Sequence, residues 1–95
     1  MNELQGRRLP NLVFEEKSYW PKNGTSTWLA GDYALVDRGG HRELWFIDPY
    51  GHLGRVRAHK ITEEDDGTIS VDPSIAGEPG DFHGWLRRGI WNWVN

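Results

Sequence analysis

The chain reads as an all-β protein: a small single-domain antiparallel sandwich or partly open barrel of about five to seven short strands, ending in a tryptophan-rich hairpin. Three observations predict it. Short apolar or alternating runs recur between turn signals. Glycine is abundant, with 12 among 95 residues. No segment sustains the 3.6-residue apolar period of a helix, and the spaced leucines at the start, Leu4 and Leu12, are separated by Gly6 and Pro10. A chain of this length makes one domain, residues 1–95, with a small core and no cysteine to staple it. Six tryptophans offset part of that deficit, since each indole can bury roughly 150–250 Å².

The elements follow in order. Residues 1–11 are polar and are expected to form a flexible arm or a short edge segment. Leu12-Val13-Phe14 is a short apolar run and a first strand. Residues 19–25 carry turn chemistry, because Pro21 fixes φ and Asn23-Gly24 tolerates left-handed backbone. Residues 32–37 and 43–48 are strands joined by a loop at 38–42. Both are almost continuously apolar, which implies burial on both faces and a central place in a sheet.

After a turn at 49–52, residues 53–61 read as one alternating strand. Val56, Ala58 and the stem of Lys60 fall on one side; Arg55, Arg57 and His59 fall on the other. Residues 62–67 form an acidic turn, expected to be a solvated tip. Residues 68–72 alternate again, with Ile69 and Val71 inward, and Pro73 is expected to stop the strand. Residues 73–80 are a breaker-rich connection. The closing hairpin spans 81–95. Arg88-Gly89 joins two aromatic-rich runs, and Gly89 can supply the positive φ of a tight turn.

Composition excludes several function classes. The formal net charge of −3 argues against binding nucleic acid over the whole surface, though not against a local basic patch. The absence of cysteine excludes a disulfide framework and a thiolate zinc site, and fits a reducing, cytoplasmic setting. No apolar run follows the first positive charges, so no signal peptide is expected, and no stretch reaches the length of a membrane span.

Four constellations bear on chemistry. The first is basic and aromatic. Arg55, Arg57 and His59 share one strand face, and His83, Trp85 and Arg87 share another. Were these strands neighbours, they would form one surface of arginine, histidine and tryptophan, with Arg88, Trp91 and Trp93 beside it. Such surfaces stack on bases, sugars or partner side chains. The plainer alternative puts the tryptophans in the core with arginine stems lying over them. The second is histidine-centred. His52 and His59 lie near each other in sequence, and His41, His83 and Asp48 could approach, but no standard ligand spacing exists and no metal is favoured. The third is the run Glu63-Glu64-Asp65-Asp66-Gly67, which lacks the alternating carboxylates of a calcium loop. The fourth is nucleophilic. Ser18, Ser26, Ser70 and Ser74 lack a Gly-x-Ser-x-Gly setting, His41 with Glu43 is a generic acid–base pair, and Gly39-Gly40 has no helix after it to cradle phosphate. No enzyme is expected.

Three motifs together resemble a known family. Leu44-Trp45-Phe46-Ile47-Asp48-Pro49-Tyr50-Gly51-His52 is similar to a segment that reads apolar run, Cys-Pro-x-Gly, then Cys or His. Asp66-Gly67-Thr68-Ile69-Ser70-Val71-Asp72-Pro73-Ser74-Ile75 resembles a D-G-T-x-T-x-x-P-S-I strand. His83-Gly84-Trp85-Leu86-Arg87-Arg88-Gly89-Ile90-Trp91 resembles a closing H-G-[WY]-[IL]-R-x-G-x-W. The family consists of short proteins of unknown function encoded mostly by bacteriophages and prophages, many with a zinc-ribbon-like knuckle. The resemblance spans residues 32–94. This sequence departs from it at Asp48, which stands where the first thiolate would be. The resemblance therefore implies a lost metal, with Pro49, Tyr50 and Leu53 packing the turn, or a residual site made of Asp48, His52 and His83.

The functional expectation is a phage-type accessory protein, without cofactor, in the cytoplasm of the bacterial host. It would dock on a host or phage protein complex, such as a defence or nucleic-acid-processing machine, and inhibit it. Docking would use the exposed members of the set Trp85, Arg87, Trp91 and Trp93. The alternatives are a nucleic-acid-binding module using Arg55, Arg57, Arg87 and Arg88, a degenerate zinc-knuckle protein, and a carbohydrate binder.

Overall fold

The computed structural model describes residues 2–13, 25, 27–76 and 82–94. The strands, in chain order, are β1 (Asn2–Gln5), β2 (Arg7–Arg8), β3 (Leu12–Val13), β4 (Asp32–Asp37), β5 (Arg42–Ile47), β6 (Leu53–Val56), β7 (Lys60–Glu63), β8 (Ile69–Ala76), β9 (His83–Arg87) and β10 (Ile90–Val94). No helix occurs among the described residues. Sheet I has the order β1-β10-β9-β8-β7, and sheet II the order β2-β4-β5-β6 with β3 also on β4. All pairings are antiparallel except those of β2 and β3, which run parallel to β4.

The all-β class and the central pair of strands are as the sequence predicts. Tyr33, Leu35, Leu44, Phe46 and Val56 point from sheet II into one core with Ile69, Val71, Ile75, Leu86 and Trp91 from sheet I. The opposite face of sheet II is buried as well: Val36 and Trp45 pack with Leu12, Trp28 and Leu53. In sheet I, register aligns one inward row across all five strands, Ile61–Val71–Leu86–Trp91–Leu4. Trp91 is the largest residue of that row and is fully buried, with its Nε1–H donating to the Gly31 carbonyl at 2.9 Å.

The closing hairpin forms as expected. Arg88 and Gly89 both have positive φ, 47° and 75°. That is the two-residue turn whose twist matches paired strands, and Gly89 takes its place in it without a steric penalty.

Two expectations are refined and two are corrected. Residues 2–8 form edge segments, the second of the two forms expected, rather than a flexible arm: β1 pairs with β10, and β2 crosses to sheet II. Leu4 completes the inward row, and the Arg7 guanidinium grips buried Asp32 with contacts of 3.1 and 2.6 Å. Gly6 makes the crossing; a Cβ there would lie 2.8 Å from the carbonyl oxygens of both Gly31 and Gly89. Residues 53–61 are two strands, not one. β6 ends sheet II, a bend at 57–59 turns the corner, and β7 joins sheet I, which leaves Ala58 exposed. Pro73 does not stop its strand, because β7 pairs with β8 only as far as Asp72, so the missing N–H of Pro73 falls where no neighbour needs it. Val71 and Ile75 are both buried, and the pairing of β8 with β9 shifts register between them.

The acidic turn is exposed, as expected of a solvated tip, and is ion-paired as well. Glu63 meets Arg8 at 2.7 Å and Arg42 at 3.1 Å, and Arg88 reaches Glu64, Asp65 and Asp66 at 3.7, 3.3 and 3.6 Å. Phe14, the turn expected at 19–25 apart from Thr25, the 77–80 part of the last connection, and Asp81 and Asn95 at the ends of the closing hairpin lie outside the described residues.

Candidate docking face

The period of two sorts the C-terminal side chains. In β9, Gly84 and Leu86 are buried while His83, Trp85 and Arg87 point outward. The shared face expected for these three is therefore present. The two-residue turn then fixes β10: Trp91 lies opposite Leu86, and Trp93 opposite Gly84. Both tryptophans are inward. Trp91 is core, and Trp93 packs against it, with ring centroids 6.2 Å from Tyr50 and 6.3 Å from Phe82. For these two the plainer of the two arrangements expected holds, with the indoles on the core side, because the residues paired with them face the core. Ile90, Asn92 and Val94 take the outward positions, and Val94 is 42% exposed.

The outer face has a defined centre. The rings of His83 and Trp85 stack 5.7 Å apart at 30°. His83 Nε2 lies 3.0 Å from Ser74 Oγ, and His59 Nε2 lies 3.0 Å from the Ser74 carbonyl oxygen. Ser74 therefore joins His59 to the His83–Trp85 stack. Arg87 completes the face and makes no ion pair among the described residues. The Ser74–His83 pair has the spacing of a nucleophile and base, but among the described residues no carboxylate contacts His83 to orient it.

The arginines expected beside this face are elsewhere. β6 and β9 belong to different sheets, so Arg55 cannot share a surface with Trp85. Arg55 instead lies over Trp45, 5.8 Å from the ring centroid, with Nη1 3.8 Å from Glu43. Arg57 sits exposed in the bend and makes no ion pair among the described residues. Arg88 at the hairpin tip is held among three carboxylates.

Glu43 was legible only as a generic partner of His41, yet its carboxylate is completely buried. It accepts from Trp45 Nε1 at 2.9 Å, lies 3.2 Å from His41 Nε2, and has Arg38 at 3.7 Å. Burial pushes its carboxyl up. The hydrogen bonds of Trp45 and His41 and the charges of Arg38 and Arg55 outweigh that, and hold it below the ordinary value of 4.5. The signal was present in the sequence: one acid inside an otherwise apolar central strand must have partners.

The histidines do not assemble a metal centre around Asp48. That carboxylate is buried and accepts from the amides of Tyr50 at 2.8 Å and His52 at 3.1 Å, so it shapes the 48–52 turn. His52 Nδ1 is 3.7 Å from it, whereas His83 faces outward on sheet I. No group of three or more His, Asp or Glu side chains converges to hold a metal among the described residues. The chain matches no protein-family model, no curated protein and no solved structure.

Proposed function

We propose that this chain is a small phage-type accessory protein that docks, through the outer face of sheet I, on a host or phage protein complex and lowers that complex's activity. It works in the host cytoplasm and needs no cofactor. The observation that carries this reading is the His83–Trp85 stack beside Arg87. An indole steadied by a neighbouring ring, on a strand bonded on both sides, loses little freedom when a partner covers it. Tryptophan and arginine are also the residues on which protein interfaces concentrate their energy. Ile90 and Val94 extend the apolar part of the face.

Nucleic acid is the weaker partner. Of the four arginines it would need, Arg55 faces Glu43 and Arg88 faces the acidic turn. Arg57 and Arg87 remain, on separate elements. Phosphate binding rests on several uncompensated cations acting together.

The test compares the wild-type chain with a Trp85→Ala, Arg87→Glu double variant, each immobilised and exposed to host lysate. A stoichiometric partner retained by the first and lost by the second, at equal melting temperature, is the expected result. Identical capture by both, or none by either, overturns the proposal.

A further inference from the structure

The sandwich is open along one corner, and that corner holds a cavity. β6 ends sheet II, and among the described residues no strand pairs with its outer side. Across from it, β8 has lost β7 beyond Asp72, so among the described residues no strand pairs with 73–76 on that side. Both free edges have one cause. The chain leaves sheet II at Val56, turns through 57–59, and joins sheet I at Lys60. Between the edges lies a cavity of about 270 Å³. Phe46, Val56 and Ile75, all buried, are its apolar walls, and His52, His59 and Ala76 also line it.

We propose that this corner receives an extended segment of a partner protein, which adds as a strand to the free side of β6, sinks one apolar side chain into the cavity and presents acidic side chains to His52, Arg57 and His59. Three observations favour this occupant. In an antiparallel pair, alternate residues turn their N–H and C=O away from the partner strand, so β6 offers a ladder for a guest strand. β6 carries no bulge and no proline, and its one charged side chain, Arg55, is laid over Trp45. The cavity falls just below the roughly 300–1,000 Å³ of ordinary small-molecule sites, which suits a single side chain better than a cofactor.

Charge decides what flanks that side chain. Arg57 makes no ion pair among the described residues, and His52 and His59 add two imidazoles. The acid at the site, Asp48, is already committed to the amides of Tyr50 and His52. An acidic strand is therefore attracted where a basic one is not. The corner meets the Trp85 face at His59 and Ser74, but neither Trp85 nor Arg87 lines the cavity, so substitutions at those two residues test the face and leave the corner in place.

The test uses the full chain and fluorescein-labelled heptapeptides. These alternate Glu with Val around a central Phe, Trp, Leu or Val, with a matching set in which Lys replaces Glu. Anisotropy is expected to give at least one acidic peptide a Kd below about 100 μM, with the Lys set at least about tenfold weaker. Amide shifts should fall on residues 53–56 and 74–76. Ala76→Trp, at an exposed position lining the cavity, should weaken binding by about tenfold or more. Arg57→Glu should also weaken it.

No peptide binding below about 1 mM overturns the proposal. So do equal binding of the Lys set, shifts centred on His83, Trp85 and Arg87, and indifference to Ala76→Trp. Binding of phenylacetate at the corner with no binding of any peptide would assign it to a small anion instead, and would equally end the proposal.

Discussion

Replacing Trp91 separates a core role from a surface one. The ring is fully buried, lies 5.2 Å from Phe46 and 5.7 Å from Phe82 between centroids, and donates one hydrogen bond to Gly31. Truncating a buried tryptophan to alanine costs about 3–5 kcal/mol, and leaving a buried carbonyl short of its donor adds about 1 kcal/mol. Small domains hold about 5–15 kcal/mol in all, so Trp91→Ala stands at the edge of unfolding. Trp91→Phe is the more informative change. It keeps most of the apolar volume, loses the indole N–H, and should cost about 1.5–3 kcal/mol. At about 4–8 °C per kcal/mol for a domain of this size, the melting temperature should fall by roughly 6–24 °C. Urea unfolding followed by far-UV circular dichroism measures this without relying on the indole signal, and the m value should be unchanged. Trp85→Phe on the outer face should shift stability by under about 0.5 kcal/mol. A wild-type midpoint for Trp91→Phe, or equal losses at both positions, would mean that β10 pairs one residue out of the register described, and the division of its faces would be wrong.

Three further outcomes follow from the same contacts. A carboxyl held below its ordinary value contributes stability above that value, 4.5 for Glu43, and the contribution fades as pH falls through the folded value. Glu43→Gln should therefore show a flatter loss of stability on acidification than wild type, and parallel acid-unfolding curves would remove Glu43 from the cause. Gly6→Ala places a methyl against the carbonyls of Gly31 and Gly89 and beside Trp91 Nε1, none of which is a flexible chain end; a loss of at least about 2 kcal/mol in urea is expected, and a neutral result would refute the close crossing of the N-terminal segment. Arg88→Asn eases a positive φ but gives up the ion pairs with the acidic turn; it should be no better than wild type in dilute buffer and more stable in about 1 M NaCl, where those pairs are screened, and the reverse order would contradict the turn geometry.

Much of the fold was legible because local pattern and burial agree. The apolar runs at 32–37 and 43–48 could only be doubly covered strands, and Arg88-Gly89 between aromatic runs could only be a tight turn. The sheet switch was not legible, since residues 53–61 alternate in the same way whether they form one strand or two. The N-terminal strand was hidden for a related reason: Leu4 is a single apolar residue, and its worth shows only when Trp91 and Leu86 stand in line with it. The tryptophans are a different case. Parity around the two-residue turn places Trp91 opposite Leu86 and Trp93 opposite Gly84, so their inward direction followed from the hairpin already inferred. Composition drew attention to the indoles; counting positions from the turn would have sorted them.

The pairing of β1 with β10 joins strands made first and last along this sequence. Between Asn2 and Ile90 a ribosome working at about 5–20 residues per second needs roughly 4–18 s, and through that interval Leu4 lacks the strand that pairs with it. The β4-β5-β6 meander can assemble meanwhile, but its inner side chains stay wet until β8, β9 and β10 arrive. A nascent chain stalled before residue 82 thus presents a greasy half-molecule, which is the stage at which holdase chaperones should bind it most strongly.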